Sequence, residues 1–227
     1  MNIDILGGSH LADTLRRAAT IRGFTVYSDD PPELTFVAAD VYDHDAVEVV
    51  NVLMPLALDD THNKCPIIVL SQVPPGWTRE WGEKHPNIFY QVDTIIMNNA
   101  VERMVHPEQI VVGCLKPAEP LPLDYQEYLL AFEAPVIKMS YESAELAKLA
   151  INHFLAVQVE TTNVLSRVAE HIDADWNDVA RVLHNDKRIG KYAYLRPGEI
   201  NQHLKRDVST IDSLWRKVLG ISEKARG

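Results

Sequence analysis

Residues Tyr141–Gly190, YESAELAKLAINHFLAVQVETTNVLSRVAEHIDADWNDVARVLHNDKRIG, decide the architecture of this chain. From Glu142 to Ile172, apolar residues recur at Leu146, Leu149, Ala150, Phe154, Val157, Val164, Leu165, Val168 and Ile172, one broad helical face. No Gly or Pro interrupts the stretch, and Glu142 and Glu145 suit the positive end of the helix dipole. About thirty residues make a rod of roughly 45 Å, longer than one small domain needs. Such a rod asks for a second surface, and a homodimer packed through residues 142–172 is expected. Asp175 reads as the N-cap of a shorter helix reaching Leu183, with Asp178 at its third position. A last helix is predicted from about Asp207 to Leu219, striped by Val208, Ile211, Trp215, Val218 and Leu219, with Gly220 as its stop.

Upstream the pattern changes period. Ile3–Leu6, Phe24–Tyr27, Thr35–Ala38, Ile67–Leu70, Ile88–Gln91 and Ile110–Val112 read as strands too apolar for a half-exposed sheet. Helical segments are predicted between them at Leu11–Ile21, Ala46–Leu58, Thr78–Lys84 and Asp124–Phe132. Their alternation predicts an α/β fold, a doubly wound Rossmann-like parallel sheet over residues 1–138, followed by an all-α region over 139–227.

The 227 residues, 46% hydrophobic and 24% charged, are ordinary globular values. A net charge of -10 with no basic cluster argues against a nucleic acid or an anionic membrane as partner. The start, MNIDILGGSH, lacks the charged and apolar regions of a signal peptide, and no apolar run is long enough to span a bilayer. Cys65 and Cys114 offer no disulfide framework, so a reducing cytoplasmic setting is expected. Nine histidines show no metal-ligand spacing, and neither a G-x-S-x-G elbow nor a G-K-[ST] loop is present.

The turn after the first strand has the ingredients of a pyrophosphate site. Gly7 stands where a tight bend needs glycine, Gly8 adds freedom, Ser9 occupies the close-approach position, and Ala12 serves as the small packing residue. His10 and Leu11 open the helix whose N-terminus would face the phosphates. Asp29, just past the second strand, is placed to accept the ribose hydroxyls of NAD and to repel the 2′-phosphate of NADP. A purely structural strand-to-helix turn fits the same glycines.

The long helical stretch resembles the central region of the UDP-glucose/GDP-mannose dehydrogenase family, NAD-dependent enzymes that oxidise a sugar alcohol to a uronic acid. The family's A-E-L-x-K-x-x-x-N lies at Ala144, Glu145, Leu146, Lys148 and Asn152, and its D-x-R-I-G at Asp186, Arg188, Ile189 and Gly190. SQVPPG at Ser71–Gly76 is similar to its S-T-V-P-x-G turn, which lines the nicotinamide side, with Gln72 for threonine. HPEQIVVG at His106–Gly113 resembles P-D-R-I-V-I-G, which sets the P-E-F-L-R-E-G segment at Val92–Asn98 and Asp93 at its glutamate. The nucleophile loop, Gly-Gly-x-Cys-x-x-Lys-Asp, falls at Ile200–Asp207: His203 stands at the cysteine, and Arg206 and Asp207 match Lys-Asp.

The resemblance implies a site of Lys148, Asn152, Asp93, His203 and Asp207, an NAD cofactor and a nucleotide or nucleotide-sugar ligand. The chain matches the front two-thirds of such an enzyme, without the second α/β domain that grips the sugar donor's nucleotide. Taking an alcohol to an acid needs two hydride transfers, the second from a thiohemiacetal, and imidazole is a poor substitute for a thiolate there. The leading expectation is therefore a degenerate family member that binds NAD but makes no uronate. Two alternatives stay open. Lys148 and Asn152, four apart on one helix face, also suit a two-electron dehydrogenase of β-hydroxyacid type, which needs no cysteine, although Ile137-Lys138-Met139 replaces its Gly-Gly loop. A solvated lysine and an incidental amide would instead fit a non-catalytic structural or regulatory module.

Overall fold

A computed structural model describes residues 1–26, 28–40, 46–59, 65–93, 99–200 and 202–218, with backbone alone at 46, 202, 203 and 215–218. Tyr27, residues 94–98, Asn201, Leu219, Gly220 and the side chains of His203, Trp215 and Val218 thus lie outside the described part. The chain divides into two compact units, Met1–Lys148 and Leu149–Gly227, with the boundary inside the long helix.

Unit 1 is a seven-stranded sheet in the order β2-β1-β3-β4-β5-β6-β7. The strands are β1 (Asn2–Leu6), β2 (Thr25–Val26), β3 (Leu34–Val37), β4 (Ile67–Val69), β5 (Ile88–Gln91), β6 (Ile110–Cys114) and β7 (Val136–Ser140). Helices α1 (His10–Ile21), α2 (Ala46–Ala57), α3 (Trp77–Gly82), α4 (Ala100–Val105) and α5 (Leu123–Leu130) connect them. The expected α/β class is what the chain adopts.

Near-continuous apolar strands bury both faces because alternate residues enter different cores. Ile3, Ile5, Leu34, Phe36, Ile68, Leu70 and Phe89 pack with Leu11, Leu15, Tyr125 and Tyr128 from α1 and α5. Val37, Ile67, Val69, Ile88 and Tyr90 pack with Val50 and Met54 of α2, Trp77 of α3, and Tyr141 and Ala144. Each fully buried Leu or Ile contributes roughly 1.5–3 kcal/mol. Buried tyrosines find partners: the Tyr141 hydroxyl donates to the Ile88 carbonyl at 2.6 Å, and that of Tyr125 to Gln91 Oε1 at 3.0 Å.

One strand departs from the expected parallel sheet. β6 pairs antiparallel with β5, while every other pairing is parallel. Helix α4, six residues long, lies in the connection between β5 and β6. Two elements went unread in the sequence. α4 is a turn and a half, and β7 is an edge strand whose Val136 and Ile137 are exposed, so neither carries a core-facing period.

Helix α6 (Tyr141–His171) is the predicted rod, 31 residues long. In unit 2 it is followed by α7 (Trp176–Asn185) and α8 (Gln202–Val218). Asp175 is the N-cap of α7 as expected, its side chain accepting from the Asn177 amide at 2.8 Å. The segment before α8 is fastened to α6 by polar contacts: Thr162 Oγ1 donates to the Tyr194 carbonyl at 2.7 Å, and Asn163 exchanges bonds with Gly198 at 2.8 and 2.9 Å. α8 starts earlier than predicted, at Gln202, and its first two turns carry buried Leu204 and Asp207 rather than solvent-facing loop residues.

Candidate functional site

The chain leaves β1 to build β2 on one side and crosses to build β3 on the other, so the strand order reverses between β1 and β3. Ligands of open α/β sheets bind outside the carboxyl ends of the strands at such a reversal. The residues there are Gly7–Leu11 after β1 and Ala38–Asp40 after β3. Gly7 has φ +140°, and a Cβ on it would lie 1.9 Å from the Ala38 carbonyl oxygen. Only glycine fits. Ser9 caps α1: its Oγ accepts from the amides of Ala12 at 3.5 Å and Asp40 at 3.0 Å, and lies 3.4 Å from the Ala38 carbonyl. Arg16 stiffens the turn by donating to the carbonyls of Ile5 (2.8 Å) and Gly7 (2.6 Å). The Leu11 amide donates to Asp40 Oδ2 at 3.1 Å. Gly8 and His10 lie in the same turn, and Asp29 is exposed beyond β2.

After β4, buried Ser71 links two strands, accepting from the Ala39 amide at 2.7 Å and approaching the Val37 carbonyl at 3.3 Å. Gln72 follows, half-buried. The turn ends on Gly76, at φ +96°, where α3 begins without a side-chain cap of its own. Glu145 supplies one from α6. Its carboxylate accepts from the amides of Gly76 at 2.6 Å and Thr78 at 2.9 Å, and it is fully buried. Burial pushes the Glu145 carboxyl above the usual carboxylate range, against the opposing pull of the Thr78 and Gly76 donors.

Lys148 and Asn152 each find a partner on another element. Lys148 Nζ donates to the Asp93 backbone carbonyl and lies 3.5 Å from its Oδ2, with both side chains largely buried. In unit 2, Asn152 Nδ2 donates to Asp207 Oδ2, while Arg206 Nε donates to Asp207 Oδ1 at 2.7 Å. Asp207 is fully buried, so Arg206 and Asn152 supply the donors a buried carboxylate needs. Among the described residues no cluster of His, Cys, Asp or Glu forms a metal site, and no helix is long and apolar enough to cross a membrane.

Comparison with known proteins places this geometry. Residues 142–217 match the model of the UDP-glucose/GDP-mannose dehydrogenase family, central domain. Over that stretch the chain is similar to the family's central domain. A putative UDP-glucose 6-dehydrogenase of Bacillus subtilis, YtcA, is 30% identical over 141 residues, covering 58% of this chain and 33% of that protein. The UDP-glucose 6-dehydrogenase TuaD of the same organism is 42% identical over 67 residues, 30% of this chain and 14% of its own. The chain thus matches about a third or less of these curated relatives. Among solved structures, a UDP-glucose dehydrogenase from Pyrobaculum islandicum superposes with a TM-score of 0.76 at 18% identity, covering 97% of this chain and 65% of that one. A GDP-mannose dehydrogenase ternary complex from Pseudomonas aeruginosa gives 0.65 at 16% identity over 99% and 66%. At these identities the likeness is one of fold.

Glu145, read from sequence as a dipole partner and as part of the A-E-L motif, caps α3 instead. Its place about one turn into an otherwise amphipathic helix was the signal that it had another task. Glu142, read the same way, pairs with Arg79, which donates to both its oxygens. Cys65, just before β4, and Cys114, at the end of β6, are buried, 5% and 3% exposed, as expected of core thiols. Burial raises both thiols above the ordinary cysteine value. The side chain of His203 is outside the described part. Asp40, whose carboxylate accepts from the Leu11 amide in the first turn of α1, was not singled out in the sequence at all.

Proposed function

We propose that this chain is a nucleotide-sugar dehydrogenase-family protein that binds NAD in the β1–β3 crevice and does not carry a nucleotide sugar through to its uronate. NAD would lie over Gly7–Leu11 with its ribose at Asp29 and its nicotinamide towards Ser71 and Gln72, supplying a hydride acceptor. Lys148, kept next to Asp93, can hold or pass the proton of a sugar hydroxyl, and Asn152, oriented by Asp207, can hold an oxygen. These contacts support alcohol-to-aldehyde chemistry.

The observation that carries the reading is the state of the thiols. The second oxidation needs a thiolate that adds to the aldehyde carbon, loses a hydride to become a thioester, and is freed by water. Cys65 and Cys114 are buried in the core with pKa values raised by burial, and His203 stands at the family's cysteine position. The same features support a chain that stops at the first step, as a two-electron dehydrogenase working through Lys148 and Asn152. The purified protein is incubated with NAD and UDP-glucose or GDP-mannose, NADH is followed by absorbance, and products by mass. No uronate is expected. Stoichiometric uronate would overturn the reading, and NADH with aldehyde alone would establish the two-electron reaction.

Assembly through α6 belongs to the same reading. Ile151, Phe154, Val157, Val164, Leu165, Val168 and Ile172 remain 40–69% exposed along it, an apolar stripe that a second copy would cover. Two cysteines that form no disulfide fit a cytoplasmic setting.

A further inference from the structure

We propose that Asp40 is the crevice's own anion: its carboxylate occupies the phosphate position at the N-terminus of α1 and must leave before a dinucleotide can bind. The inference rests on reading this crevice as the NAD site, and it adds what controls entry.

A pyrophosphate binds at a strand-to-helix turn through the first helical amides and the positive end of the helix dipole. In α1, twelve residues long, two of those amides are already engaged. Leu11 donates to Asp40 Oδ2 at 3.1 Å, and Ala12 faces Ser9 Oγ at 3.5 Å. A full negative charge thus sits where a phosphate oxygen would. The arrangement is fastened from both ends. Ser9 Oγ accepts the Asp40 amide at 3.0 Å, which aims the Asp40 side chain back at the helix, and Gly7 lets β1 and β3 approach until no Cβ fits between them. Ser9 and Asp40 therefore act as one device. A serine at the close-approach position is a defect for phosphate binding, but it is the acceptor that positions Asp40. An incoming phosphate meets like charge as well as occupied donors, so it has to displace the carboxylate rather than fill a gap. A chain whose competent state is only partly populated binds more weakly by that fraction, and removing Asp40 removes the competitor.

The test titrates the wild-type chain, Asp40→Ala and Asp40→Asn with NAD and, separately, with inorganic pyrophosphate by calorimetry. The Leu11 amide is followed by NMR, and thermal unfolding confirms that each variant is folded. Both variants are expected to bind both ligands about tenfold or more tighter than wild type, with Leu11 among the shifted amides. Equal, measurable NAD affinity in all three chains overturns the inference and leaves the NAD reading standing. A gain confined to pyrophosphate, with no NAD binding in any chain, leaves Asp40 as the occupant of the phosphate position and overturns both the NAD reading and its control of dinucleotide entry. Binding of neither ligand to any chain overturns both. If Asp40→Ala does not fold, Asp40→Asn, which keeps a side-chain acceptor for Leu11 and loses the charge, decides alone.

Discussion

The Lys148 ammonium on α6 closes on Asp93 just past β5, donating to that residue's backbone carbonyl and standing 3.5 Å from its carboxylate. With side chains 11% and 13% exposed, neither charge has bulk water to fall back on. Removing one partner strands the other, so Lys148→Met is expected to cost about 2–3 kcal/mol, and Asp93→Asn less because the backbone carbonyl still accepts. A double-mutant cycle by urea denaturation should return a coupling of about 1 kcal/mol or more. Additive single effects would mean that the pair is incidental to the fold.

Glu142 and Glu145, one helical turn apart, should respond to pH with opposite signs. The Arg79 guanidinium holds the Glu142 carboxyl down at about 2. Its contribution is present above the ordinary carboxylate pKa and is lost as pH falls from about 4.5 towards 2. Because Glu142 is 39% exposed, that contribution is below about 1 kcal/mol. Burial raises the Glu145 carboxyl, so its contribution is full below the ordinary value and is lost as pH rises through its folded pKa. Stability measured in pH steps should therefore lose its acid slope in Glu142→Gln. In Glu145→Gln it should lose the decline above about pH 4.5. Slopes of one sign for both would contradict the assigned environments.

Gly7 and Gly8 are adjacent in sequence and far apart in consequence. An alanine Cβ at Gly7 would sit 1.9 Å from the Ala38 carbonyl oxygen in a φ of +140°, whereas one at Gly8 meets nothing within 4 Å. Gly7→Ala is expected to cost about 3 kcal/mol or more, by pushing β1 from β3 and straining the turn. Gly8→Ala should stay within about 0.5 kcal/mol of wild type. Thermal unfolding separates the two, and equal losses would contradict the close approach.

The fold was legible where burial imposes a period: the strands packed on both faces, α1, and the 31-residue rod of α6. β7 and α4 were not, because an exposed edge strand and a six-residue helix leave no core-facing repeat to count. The reversal of β6 was not legible either, because apolar strands read alike in both directions. Side-chain pairings could not be read at all. The spacing of Lys148 and Asn152 was correct along the helix, but their partners Asp93 and Asp207 each lie 55 residues away in sequence. Asp40 carried no signal: an aspartate at the end of a strand reads as solvent-facing until Ser9 and Leu11 are seen to turn it inwards.

Phe154 tests the assembly. It stands at the centre of the exposed stripe of α6 and is 69% exposed. Covering it by a second copy would gain roughly 2 kcal/mol per protomer, and two-fold symmetry counts that gain twice. Phe154→Glu should therefore weaken a dimer by about 3–4 kcal/mol or more, since it also brings two carboxylates together across the axis. Helix content should not change, because the side chain has little buried surface to lose within its own chain. Light scattering at micromolar concentration should report a dimer for wild type and a monomer for the variant, with matching circular dichroism. A monomeric wild type would mean that the stripe is covered by something other than a second copy.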